Sequence, residues 1–68
     1  MINELNEMFP KHTFESHIDE ETNREFVAMD GEMIATSWNV ADLEDPTIRD
    51  AILEALVFFV NTHNRIHG

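Results

Sequence analysis

Apolar residues in this chain recur with a helical period at its two ends and a strand period between them. Ile2, Leu5, Met8 and Phe9 predict a short first helix. Pro10 ends it, because the residue before a proline avoids the α region. From Lys11 to Ile18 the pattern alternates, with Phe14, Ser16 and Ile18 on one face and Thr13, Glu15 and His17 on the other. An acidic loop, Asp19 to Asn23, follows. Arg24 to Met29 then leads through Asp30-Gly31 into Glu32 to Trp38. Asp-Gly between apolar runs is a strong hairpin signal, because both central positions of a type I′ turn need positive φ. A two-residue turn sets Met29 opposite Glu32, Ala28 opposite Met33, Val27 opposite Ile34 and Phe26 opposite Ala35. One hairpin face then carries Phe26, Ala28, Met33 and Ala35, and the other Val27, Met29, Ile34 and Trp38. Trp38 is read as a core residue closing the sheet, with an interface anchor as the alternative.

Asn39 to Asp45 forms a second acidic linker. Asp45-Pro46 predicts a helix start, since Asp accepts the free N–H groups of the first turn and Pro fits the first helical position. The helix is expected to run from Pro46 to about Arg65. Ile48, Ala51, Ile52, Ala55, Leu56 and Phe59 form its main apolar stripe, and Leu53, Val57 and Val60 a second. Phe58 falls on the polar side. The expected fold is α+β, in the order α-β-β-β-α: one domain, 1-68, with a short N-terminal helix, a three-stranded antiparallel sheet and a long C-terminal helix. One helix and three strands do not cover this much apolar surface, and chains this short bury only about 60% of the surface their unfolded form exposes. A homodimer is therefore expected, with Leu53, Val57, Phe58 and Val60 as its contact.

Charge changes the picture. The chain has 14 Asp and Glu against 4 Lys and Arg, a formal net charge of -10. All the acids lie between Glu4 and Glu54, and residues 55–68 contain none. So much like charge in a small body is self-repulsive, and it argues against nucleic acid or an anionic membrane as a direct ligand. The absence of cysteine excludes a disulfide scaffold and suits a reducing cytoplasm. The first residues lack the basic and apolar regions of a signal peptide, and Ala51 to Val60 is half the length of a bilayer span.

Catalytic and metal chemistry find little support. His63 and His67 share a helix face at a metal-ligand spacing, but Asn64 stands where a metalloprotease helix has Glu. His12 and His17 are read as ordinary surface histidines. Asp42-Leu43-Glu44-Asp45 lacks the spacing and glycine of a calcium loop. Glycines at 31 and 68 make no phosphate loop, and Ser16 and Ser37 are in no nucleophile context. No enzyme activity, cofactor or metal is expected.

The acids expected to face solvent are Glu15, Asp19, Glu20, Glu21, Glu25, Asp30, Glu32, Asp42, Glu44 and Asp45. Lys and Arg in a groove built for phosphate bind carboxylates by the same charge-assisted bonds. In length, charge, lack of cysteine and α+β plan the chain resembles the small acidic bacteriophage proteins that mimic DNA and block host factors. That resemblance implies a basic DNA-binding protein as partner, for example a histone-like nucleoid protein, and action in the bacterial host cytoplasm. The alternative is a structural or adaptor module that works through helix-mediated dimerisation or a hydrophobic contact, its acids serving solubility alone.

Overall fold

The computed structural model describes residues 1–67 and all their side chains except that of Ala35. Five elements carry the predicted plan: α1 (Ile2–Met8), β1 (Phe14–Asp19), β2 (Arg24–Met29), β3 (Glu32–Asn39) and α2 (Pro46–His67). A short 3-10 helix, Val40–Glu44, joins β3 to α2 where only an acidic linker was expected. The Asn39 side chain starts that turn by accepting from the Ala41 N–H at 2.9 Å. The sheet order is β1-β2-β3, antiparallel throughout.

Each boundary has a local cause. β1 begins at Phe14 rather than Lys11. There α1 meets the strand edge, with Phe14 N–H donating to Asn6 Oδ1 at 2.9 Å and Asn6 Nδ2 donating to the Phe14 carbonyl at 3.3 Å. Asp30 and Gly31 adopt φ of 54° and 87°, as the I′ turn requires. Asp45 caps α2 as expected, its Oδ1 accepting from the Thr47 N–H at 2.9 Å. α2 continues to His67, two residues past its expected end.

The hairpin register holds next to the turn and changes beyond it. Met29 pairs Glu32 and Ala28 pairs Met33, but Phe26 pairs Ser37 rather than Ala35. Between these pairs Val27 alone faces residues 34–36 of β3. The extra length bulges and twists the strand. It adds an even number of residues, so the inward–outward alternation survives. Val27, Met29, Ile34 and Trp38 thus all reach the inner face, where they join Leu5, Phe14, Leu56 and Val60 in one buried cluster. The expected face assignment of Ala35 lies outside the described side chains. Trp38 is a core residue, and its indole N–H donates to Glu25 Oε1 at 2.8 Å, so the buried donor is satisfied.

α2 is rotated from the expected setting. Leu56 and Val60 are fully buried, while Ile52, Leu53, Val57 and Phe59 pack partly against the core. Val60 therefore has no surface to offer a second copy, which corrects its expected place in a dimer contact. Ile48, Ala51 and Ala55, expected to face the sheet, are exposed. The Arg49 guanidinium ties α2 to α1 through a hydrogen-bonded ion pair with Glu4, which holds the Glu4 carboxyl below its ordinary pKa.

Two substitutions separate core from cap. Leu56→Ala is expected to lower unfolding free energy by about 2–5 kcal/mol through the cavity it leaves. Asp45→Ala should cost about 1 kcal/mol through the lost cap. Urea denaturation of the two variants checks both the values and their order.

Candidate acidic binding surface

The ten carboxylates read as one surface from the sequence are not brought together as one. Six of them gather at one end of the sheet. Asp19, Glu20 and Glu21 lie in and beside the β1–β2 turn, and Asp42, Glu44 and Asp45 lie in the 3-10 helix and its exit. These two segments are remote in sequence but fastened in space. Arg24 pairs Asn39 across the sheet, and the Val40 N–H donates to the Asn23 carbonyl at 2.8 Å. Asn23 Nδ2 also donates to Asn39 Oδ1 at 3.4 Å, and Asn39 Nδ2 reaches the Thr22 carbonyl at 3.5 Å. Asn23 sits at φ 56°, the left-handed conformation that asparagine tolerates better than most residues. Arg24 lies at this end as well, and its guanidinium donates to Ser37 Oγ at 3.1 Å.

Not all six carboxylates are free. Asp19 Oδ1 accepts from the Glu21 N–H at 3.0 Å, which shapes the turn. Asp45 is the α2 cap. Glu20, Glu21 and Glu44 are exposed and Asp42 is half-buried. Glu25 stands near this end but on the inner side, half-buried and bound to Trp38.

The other acids are elsewhere. Glu15 lies on the outer sheet face, its carboxylate 3.9 Å from His17 Nε2. Asp30 and Glu32 flank the β2–β3 turn at the far end. Asp30 is an internal ligand rather than a free charge. Its Oδ1 accepts from the Thr13 N–H at 2.8 Å, and its Oδ2 lies 2.6 Å from His12 Nδ1. His12 Nε2 lies 2.7 Å from Asn64 Oδ1 on α2. With both ring nitrogens facing oxygen, the surroundings of His12 favour the imidazolium form. The Asp30 bond, then the Asn64 bond, raises its pKa; the same His12 bond, then the Thr13 N–H, lowers that of Asp30. The His63 ring lies 6.0 Å from that of His12 and 4.6 Å from that of His67.

His12 is thus a clamp joining the loop before β1, the β2–β3 turn and the end of α2, not the plain surface histidine expected. No local signal marks it, since Asp30 and Asn64 are 18 and 52 residues away. Among the described residues, no group of three or more His, Cys, Asp or Glu is arranged to hold a metal ion. A shallow groove of about 460 Å³ runs beside His12, walled by Met8, Phe9, Pro10, Lys11 and Asn64. No described helix is long and apolar enough to cross a membrane.

Comparison with protein-family models, with characterised proteins and with solved structures finds no match for this chain. What the arrangement does is argued from its residues.

The clamp has a defined pH dependence. The raised pKa of His12 gives stability that is complete below about pH 6.5 and lost as pH rises through the folded value. The lowered pKa of Asp30 gives stability that is complete above about pH 3.9 and lost as pH falls through its own folded value. The contribution is therefore largest between about pH 4 and pH 6.5. Asp30 faces His12 from the turn, and the His63 ring on α2 lies 6.0 Å from the imidazole. The Tm difference between wild type and His12→Ala is expected to shrink from about pH 6 to about pH 9. A difference that does not change with pH excludes the imidazolium clamp.

Proposed function

We propose that this protein is a non-enzymatic binding protein whose acidic end occupies the DNA-binding surface of a basic protein and keeps nucleic acid from it. The observation that carries the reading is the fastening of the β1–β2 turn to the 3-10 helix. Two acidic segments are held side by side by backbone pairing, which fixes the main chain that carries their carboxylates. Pre-organisation of this kind lowers the ordering cost of binding. A net charge of -10 adds long-range steering toward a cationic groove. On this proposal the protein acts in a bacterial cytoplasm, as the acidic phage inhibitors it resembles do, and a histone-like nucleoid protein is a suitable target.

A second reading has its own support. Phe58 is 72% exposed and Ile66 71% exposed. Both are on α2, away from the acidic end. A module acting through a hydrophobic contact of this helix would use the acids only to stay in solution.

Competition with labelled duplex for a histone-like nucleoid protein separates the two. Wild type is expected to displace duplex at low salt, with apparent affinity falling roughly tenfold or more as salt rises to physiological strength. Glu20, Glu21, Asp42 and Glu44 replaced together by Lys should abolish displacement, while Asp45 is left in place as the helix cap. Phe58→Glu should leave salt-dependent displacement in place, at the affinity that one acidic end supplies. Displacement that survives the four reversals excludes the acidic end as the binding surface.

A further inference from the structure

The rotation of α2 leaves an apolar line on its outer side. Ile48, Ala51, Ala55, Phe58, Thr62 and Ile66 follow one another at steps of three and four residues, the spacing of a helix–helix seam. Ile48 is 41%, Phe58 72% and Ile66 71% exposed, and both alanines are exposed. Thr62 is half-buried, and no described element covers the rest of this line. We propose that a second copy of this chain covers it, with the two α2 helices antiparallel.

Shape selects the orientation. Antiparallel pairing about a two-fold axis near residue 57 sets Ile48 against Ile66, Ala51 against Thr62 and Ala55 against Phe58 of the other copy. Each Phe58 ring then enters the depression left by Ala51 and Ala55 of its partner, so a large side chain meets small ones. Parallel pairing would set Phe58 against Phe58 and leave the alanines facing each other across a gap.

Charge selects the same orientation. The first half of α2 carries Asp50 and Glu54, after the capping Asp45. The one cation of that half, Arg49, is taken up by Glu4 of α1, while the second half carries Arg65 and no acid. Asp50 is 74% exposed, with only a long 3.9 Å contact to Arg49. Antiparallel copies bring the acidic half of each helix over the cationic half of the other. Parallel copies would set acid against acid in a chain that is already strongly negative. The other half of the apolar surface supports the arrangement. Beside the seam, Met8, Leu53, Glu54, Val57, Phe58 and Asn61 wall a shallow groove of about 420 Å³. The pairing does not depend on what the acidic end binds.

The chain has no cysteine, so introduced thiols report neighbours without interference. Ile48→Cys and Ile66→Cys are made singly and together, all at exposed sites. Under mild oxidation at high micromolar concentration the double variant is expected to become a covalent dimer, as is a mixture of the two single variants. Neither single variant should do so alone. Phe58→Glu in the double variant should abolish cross-linking while circular dichroism shows the fold retained. Cross-linking of Ile48→Cys to itself would show parallel pairing and overturn the proposal. A wild-type chain that sediments as a monomer at that concentration overturns it as well.

Discussion

Leu56 and Val60 of α2 share one buried cluster with Val27, Ile34 and Trp38 of the sheet, and this packing sets the rotation of the only long helix. Successive residues of an α-helix turn by about 100°. Residue 58 is two steps from both 56 and 60, so once those two point inward Phe58 must point out. The same rotation turns Ile48, Ala51 and Ala55 away from the sheet. The exposed apolar line is therefore not a packing failure at the edge of the core. It follows from which side chains the sheet accepts, and no other described element covers it.

The carboxylates divide along a similar line. Glu4 holds Arg49, Glu25 takes the indole proton of Trp38, Asp30 joins Thr13 to His12, and Asp45 caps α2. These acids reduce the charge problem locally because each faces a donor or a cation. Those at the β1–β2 turn and the 3-10 helix do not, apart from Asp19 and the cap. Their mutual repulsion is a cost that the backbone pairing of Asn23 with Val40 holds in place. A surface that resists its own charge in this way is poised to gain from a cation, which is the physical content of the proposed function.

Much of the fold was legible because its signals are local. Pro10 and Asp45-Pro46 mark helix boundaries through φ restriction and capping, and Asp30-Gly31 marks the turn through positive φ. The order of elements follows from those signals and the change of period. The departures that move the surface are tertiary. The bulge opposite Val27 arises from sheet twist, which pairing from the turn outward does not contain. Two apolar stripes on α2 were visible, but periodicity alone does not say which one a sheet will take, so Val60 was assigned outward and Ala51 and Ala55 inward. Composition gave the acidity of the chain but not its division, because Glu25 and Asp30 look like Glu20 and Glu21 until their partners are placed.

The two proposed surfaces are geometrically coupled. On the antiparallel pairing, Pro46 lies about eleven residues from the two-fold axis, so the starts of the two helices stand about 33 Å apart along the pair at 1.5 Å per residue. Each start adjoins one acidic end. Dimeric DNA-binding proteins contact half-sites about 34–36 Å apart, one turn of the duplex. A paired molecule would thus offer two carboxylate clusters at the interval of two successive half-sites, whereas a single chain offers one. Two weak ionic contacts held at a matching distance bind far more tightly than either alone, because the second forms at a high effective concentration. This favours a target that is itself two-fold symmetric. On that proposal the hydrophobic seam would act in recognition without a single apolar contact to the target, since the seam would fix the spacing and the carboxylates would supply the attraction.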